Sequence, residues 1–352
     1  MSKENKMIVG ISIGDLNGIG PEIVLKALED SRMLDFCTPV IFANVKLMSF
    51  YKKTFNIQSN LQGIESVDKI IPKKINVLNV WKENVDVHFG KEEKEAGIYA
   101  LKSFQAAVAA LKEGKIDVLV TAPINKSNIQ SESFSFPGHT DYLNQELEGD
   151  ALMLMVSDSL RVGLLTDHVA VKDIASTITR ELVEKKINTI HKTLIQDFGI
   201  ERPKIAVLGI NPHTGDNGVI GKEDDEVLRP TLDNLRNNGK VIFGPYAADS
   251  FFGSGNYKNF DVIIASYHDQ GLIPFKTLSF GSGVNFTAGL DRIRTSPDHG
   301  TAYDIAGKNE ADHESFRAAM YSAMSIFSAR KQHQKISEKP LIINRRQPFV
   351  KK

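Results

Sequence analysis

Short runs of β-branched and apolar residues alternate along the chain with longer segments whose apolar positions recur at helical spacing. Met7 to Ile13 reads as a buried strand, and Pro21 to Leu28 as a helix with proline in its first turn. Val40–Ala43 and Ile75–Val80 are further strands. Lys94–Leu111 carries a helical pattern, closed by Gly114 and followed by the strand Val118–Thr121. Leu152–Val156 and Val162–Leu165 read as a strand pair, Thr179–Phe198 as a long amphipathic helix, Ile205–Gly209 and Val262–Ser266 as buried strands, and His313–Arg330 as a closing helix. Strand–helix alternation of this kind predicts an α/β fold with a largely parallel sheet. In such sheets ligands bind where strands end and loops begin, which directs attention to the loops after Ile13, Thr121, Leu165, Gly209 and Ser266.

Composition narrows the possibilities. The 352 residues are 41% hydrophobic and 24% charged, enough for one large or two medium domains with no need of cross-links. Lys plus Arg and Asp plus Glu both number 43, so nucleic-acid binding by bulk charge is not expected, and an anionic ligand must be held by local groups. The single cysteine, Cys37, excludes an intrachain disulfide and suits a reducing compartment. The first residues lack the apolar core of a signal peptide, and no apolar run is long enough to span a bilayer. A cytoplasmic location is therefore expected. The stretch from Lys331 to Lys352 is polar and basic.

Candidate chemistry lies in the strand-end loops. Gly14–Glu22 is glycine-rich, but Gly18 and Gly20 are followed by Ile23 where a dinucleotide fingerprint needs its third glycine. A tight turn opening a helix is the better reading. In Gly138-His139-Thr140-Asp141, Thr140 is placed to cap a helix, and His139 and Thr140 are placed to donate to an anion. His168, His213 and His268 each lie just past a strand. None has local metal-ligand spacing, yet three converging imidazoles would hold a metal with open positions, while Asp167 and Asp269 could act as supporting partners or bases. Lys276, Asn285 and Arg294 read either as a solvated basic loop or as a clamp for phosphate or carboxylate.

The string His299-Gly300-Thr301-Ala302-Tyr303-Asp304-Ile305-Ala306-Gly307-Lys308 resembles the nucleotide-binding loop of the isocitrate and isopropylmalate dehydrogenases, which bind NAD or NADP without the glycine fingerprint. A closer resemblance is to the 4-hydroxythreonine-4-phosphate dehydrogenase family. It rests on Gly18–Glu22, Thr121–Lys126, Gly138–Leu143, Asn211–His213, Tyr267–Leu272 and Ile293–Ala302, which stand in the family's order across nearly the whole chain. The first loop departs from the family pattern, with Asp15-Leu16-Asn17 where smaller residues are expected, and residues 45–90 add little to the likeness.

The resemblance implies a two-lobed α/β/α fold of the isocitrate/isopropylmalate dehydrogenase type, with the active site in the cleft. Residues 1–130 plus 280–352 would form the nucleotide-side lobe and 131–279 the metal and dimerisation lobe. It implies one divalent metal (zinc, cobalt, magnesium or manganese) on His168, His213 and His268, and a substrate held by His139, Thr140, Lys276, Asn285 and Arg294. It also implies NAD or NADP against His299, Gly300, Thr301, Ala302 and Asp304, and a homodimer whose active sites are completed across the interface. Lys276, Asp269 and Asp167 are the candidate catalytic residues. The expected reaction is oxidation of a small phosphorylated hydroxy acid, 4-phosphohydroxythreonine, followed by decarboxylation. The alternatives are a four-carbon sugar acid phosphate as substrate and, more remotely, a phosphate-handling transferase or metal hydrolase.

Overall fold

The structure is a computed structural model that describes residues 6–130, 134, 136, 138–279 and 281–338. Twelve described strands form one sheet: β1 (Met7–Ser12), β2 (Cys37–Ala43), β3 (Leu61–Ile64), β4 (Ile75–Asn79), β5 (Val118–Thr121), β6 (Gly149–Val156), β7 (Arg161–Leu164), β8 (Ile205–Leu208), β9 (Ile242–Tyr246), β10 (Val262–Ala265), β11 (Val284–Leu290) and β12 (Arg294–Pro297). Their order is β3-β4-β2-β1-β5-β12-β11-β6-β7-β10-β8-β9. The first six strands in that order are mutually parallel, as are the last four. Between them, β12, β11, β6 and β7 pair antiparallel. Three successive reversals make the two parallel wings run in opposite directions, and the antiparallel strip joins them into one sheet.

The wings follow from their sequences. β2, β5, β8 and β10 are buried at every position, as strands covered on both faces must be. Alternate residues of one strand feed different cores: Val118 and Val120 pack on one face with the helices Gly20–Ala27 and Glu314–Glu338, and Leu119 on the other with the helix Lys94–Lys112. In the second wing Val207 joins the first face, and Ala206 and Leu208 pack against the helix His268–Leu278. Each fully enclosed Leu, Ile or Phe contributes about 1.5–3 kcal/mol.

Most elements read from the periodicity are present within a few residues of the expected bounds. The differences have physical causes. β11 and β12 were not expected, because Lys276, Asn285 and Arg294 read as a solvated basic loop or an anion clamp. The strip is a strand pair all the same, and Arg294 is buried with its donors satisfied. The closing helix was expected to stop at Arg330 but continues to Glu338. The apolar period ends where the buried Arg330–Asp197 ion pair fastens the helix, and Lys331–Glu338 extends it by about two largely exposed turns rich in Lys, Gln and Glu. Of the basic tail, 339–352 lie outside the described residues, as do 1–5. No described helix is long and apolar enough to cross a membrane.

Candidate active site

The antiparallel strip provides a floor. Its register aligns Met155, Asn285 and Ser296 in one cross-strand row and Met153, Thr287 and Arg294 in the next, which puts both rows on one face. Above this face lies a cavity of about 290 Å³. Its walls are Ala122–Lys126 after β5, the start of the helix His139–Glu146, His168 after β7, the helix His268–Leu278, and Pro297–Gly300 after β12. Nine of the expected site residues line it: His139, Thr140, His168, His268, Lys276, Asn285, Arg294, His299 and Gly300. Asp167, His213, Asp269, Thr301, Ala302 and Asp304 are not among the lining residues. Thr140 does not cap its helix. Gly138 occupies the cap position, because the helix begins one residue earlier, at His139.

At one end of the cavity the guanidinium of Arg294 is buried, with 3% of the residue exposed. Nε and Nη2 donate to Thr121 Oγ1 (3.0 and 2.6 Å), Nη1 donates to Thr287 Oγ1 (3.1 Å), and Nη2 also donates to His139 Nδ1 (2.9 Å). These partners include no carboxylate, so the buried charge is uncompensated among the described residues. An isolated buried charge costs several kcal/mol, and burial accordingly pulls the guanidinium's pKa below its usual value. Arginine can only donate, so His139 Nδ1 accepts and its proton sits on Nε2. That nitrogen is enclosed and has no partner. Burial, then the charges of Arg294 and Lys126, hold His139 well below the ordinary imidazole range, so the ring is neutral. Asn285 Oδ1 is likewise enclosed and unpartnered. Lys276 Nζ donates to the Asp298 carbonyl at 3.2 Å. A cation without a counter-ion, an N–H without an acceptor and two nearby ammonium groups, Lys126 and Lys276, suit an anion such as a phosphate or carboxylate.

The other end is built on strand termini. β7, β10 and β8 are adjacent, and they deliver His168, His268 and His213 respectively. His268 does not lie in a loop, as expected, but opens a helix, with Tyr267 as its cap. That helix also carries Lys276, so the two share one rigid element. The rings of His168 and His268 are 6.2 Å apart. His268 Nδ1 is 2.7 Å from Asp269 Oδ1, which leaves Nε2 to face a ligand, as in a carboxylate-supported metal ligand. Asp167 Oδ1 accepts from the His168 amide at 2.9 Å. Burial raises the Asp167 carboxyl, but that amide and the charge of Lys186 outweigh it and hold the group below its usual value. His213 is exposed, in a tight turn with φ 53°, and no group of three or more His, Cys, Asp or Glu side chains converges among the described residues. The two imidazoles of His168 and His268, one of them oriented by a carboxylate, are the donors that could contribute to holding a divalent ion.

The 299–308 loop reaches the cavity through His299 and Gly300. Its Thr301 carbonyl accepts from Ile19 N at 3.0 Å, and a Cβ on Gly18 would lie 2.8 Å from that oxygen. The glycine at 18 is thus required by a neighbouring loop, in line with a tight turn. His299 Nε2 is enclosed and has no hydrogen-bond partner. The residue-level reading missed Lys126, Asp141, Ser296 and Asp298 as lining residues. All four stand in motifs at strand or helix ends, Ser296 and Asp298 within Ile293–Ala302, so the motifs held the signal.

Comparison with known proteins places these observations. Residues 35–323 match the model of a family described as pyridoxal phosphate biosynthetic protein PdxA. The chain is 46% identical over 341 residues to 4-hydroxythreonine-4-phosphate dehydrogenase of Bacteroides thetaiotaomicron, covering 96% of this chain and 94% of that one. It is 36% identical over 328 residues to D-threonate 4-phosphate dehydrogenase of Cupriavidus necator, covering 92% and 98%. The crystal structure of 4-hydroxythreonine-4-phosphate dehydrogenase from Klebsiella pneumoniae superposes with a TM-score of 0.79 at 32% identity, covering 93% of this chain and 99% of that one.

Proposed function

This chain belongs to the PdxA family of pyridoxal phosphate biosynthetic proteins, and from that membership we propose that it oxidises 4-phosphohydroxy-L-threonine at C3 with NAD or NADP and decarboxylates the product to 3-amino-2-oxopropyl phosphate. The observation that carries the reading is Arg294, a buried cation facing the cavity with no carboxylate among its hydrogen-bond partners. Arg294, the Nε2–H of His139, Thr140, Asn285 and Lys276 hold the phosphate and carboxylate and fix the reacting carbon. His168, His213 and His268, on three adjacent strands, hold one divalent metal: zinc, cobalt, magnesium or manganese. The 299–308 loop holds the nucleotide.

Bound there, a metal would supply Lewis acidity at the C3 oxygen, and a nicotinamide would supply the hydride acceptor. Lys276 lines the cavity. In its neutral amine form it would take the C3 hydroxyl proton during oxidation, and would return one to C2 after the C1–C2 bond breaks and carbon dioxide departs. Asp269 keeps the His268 ring aligned, and Asp167 does the same for the backbone at His168. The cavity encloses the keto acid while it loses carbon dioxide. We assign 1–130 plus 280–352 to the nucleotide side and 131–279 to the metal and dimerisation side, meeting along the β11–β6 pair. A homodimer that completes each site across its interface is supported by apolar side chains left in solvent around the histidine end, with Val171 and Val219 each 82% exposed and Ile273 63% exposed. The cytoplasm suits such an enzyme.

The test is NADH or NADPH formation with 4-phosphohydroxythreonine, with and without chelator and with metal added back. Turnover should vanish with chelator and return with metal, and His213→Ala should abolish the metal-dependent part. Near-normal turnover of that variant in chelator would overturn the metal assignment. The threonate-specific relative favours a second reading, in which C2 carries a hydroxyl in place of the amine, and running D-threonate 4-phosphate in parallel decides between them.

A further inference from the structure

The first loop carries an enclosed cluster that the reaction does not use. Asp15 is wholly buried. Its Oδ2 accepts from Tyr303 Oη at 2.9 Å and from Asn128 Nδ2 at 3.3 Å, and its Oδ1 accepts from Asn17 N at 2.9 Å. Asn128 Nδ2 also donates to Tyr303 Oη at 3.2 Å, closing a triangle of three side chains from three loops. Two residues away, Asn17 gathers a fourth segment. Its Oδ1 accepts from His88 N (2.8 Å), its Nδ2 donates to Lys91 O and Glu93 Oε2 (3.0 Å each), and its carbonyl accepts from Gly90 N (2.8 Å). That segment lies against the 299–308 loop. A Cβ on Gly90 would come within 2.9 Å of Tyr303 O, and one on Gly307 within 2.7 Å of the Phe89 ring.

The loop so enclosed is strained. Ala302 has φ 43°, a left-handed conformation that a residue with a Cβ holds only when its surroundings enforce it. The enforcement sits on either side: Thr301 is held through its carbonyl by Ile19 N, and Tyr303 through its hydroxyl by Asp15. His299 and Gly300, at the cavity, directly precede this clamped turn. Burial raises the Asp15 carboxyl, and the hydrogen bonds from Tyr303, Asn128 and Asn17 offset part of that cost.

We propose that Asp15 and Tyr303, with Asn128 and Asn17 around them, are positioning residues that hold the 299–308 loop in its nucleotide-receiving shape. The glycine-rich first loop then serves as a template for a second loop, and makes no phosphate contact of its own. This inference rests on the nucleotide role proposed above for 299–308.

Tyr303→Phe tests it, since only the hydroxyl is lost. Titration calorimetry with NADH and NADPH should show binding weakened about tenfold. KM for the nucleotide should rise with kcat little changed, and the midpoint of inhibition by inorganic phosphate should stay put. Amide exchange in 299–308 should quicken while the central strands stay protected. Asp15→Asn should weaken binding similarly, and the double variant should be no worse than the weaker-binding single one. Nucleotide binding by the wild type and by Tyr303→Phe with equal affinity would overturn the inference, as would additive losses in the double variant. Failure of the wild type to bind either nucleotide would instead remove the reading on which it rests.

Discussion

The two ends of the cavity are built differently. The anion end stands on neighbouring strands: Arg294 begins β12, Asn285 and Thr287 lie in β11, and Thr121 ends β5, all locked by ladder register, with Arg294 also bonded to Thr121 and Thr287. The histidine end stands on strand termini. There His168 and His213 are exposed, and His213 stands in a turn of left-handed backbone. A buried charge cannot be left to a mobile side chain, because each misplacement costs desolvation energy. Metal ligands, in contrast, draw together when the metal binds, and their binding energy supplies the ordering. The anion end is therefore preformed, and the histidine end is completed by what binds to it.

The sharpest way to break this comparison is at Arg294. Arg294→Met should lower kcat/KM for the phosphorylated substrate about a thousandfold, since truncating one partner of a desolvated ion pair costs about 4 kcal/mol. Without substrate, the variant's Tm should not fall, because an uncompensated buried charge has gone. A large drop in Tm would mean that Arg294 mainly supports the fold. A smaller effect is expected at the other end. Asp269→Asn leaves His268 in place but weakens its support, and metal affinity measured by chelator competition should fall about 10–100-fold. Unchanged affinity would show that the carboxylate does not orient the ring.

The smallest effect concerns His139. Its folded pKa is depressed by burial and by its cationic neighbours, so below the ordinary imidazole pKa of about 6.5 the unfolded chain binds a proton that the folded chain refuses. Stability should thus fall as pH drops below that point, by up to about 1.4 kcal/mol per pH unit, and recover as pH rises. His139→Gln should flatten this slope in denaturant titrations. An identical slope in the variant would show that His139 takes up its proton in the fold.

Much of this was legible beforehand, and for identifiable reasons. The parallel wings were readable because strands covered on both faces must be continuous apolar runs, as in Val118–Thr121 and Val262–Ala265. The helix Arg180–Phe198 was readable from its period, and the nine expected residues that line the cavity stand mostly in motifs that end strands or open helices. β11 and β12 were not, because their glycines and arginines carry loop propensity, and only pairing with β5 and β6 makes them strands.

By itself, then, the sequence determined the alternation of elements, the neutral charge balance and the residue types available for an anion and a metal, because local periodicity and composition depend on near neighbours. The tertiary structure alone decided that Arg294 is buried without a carboxylate, that His139 must carry its proton on Nε2, and that Asp15 meets Tyr303 across 288 positions. Each of these is a relation between distant segments, and its energy exists only once the chain has brought them together and excluded water between them.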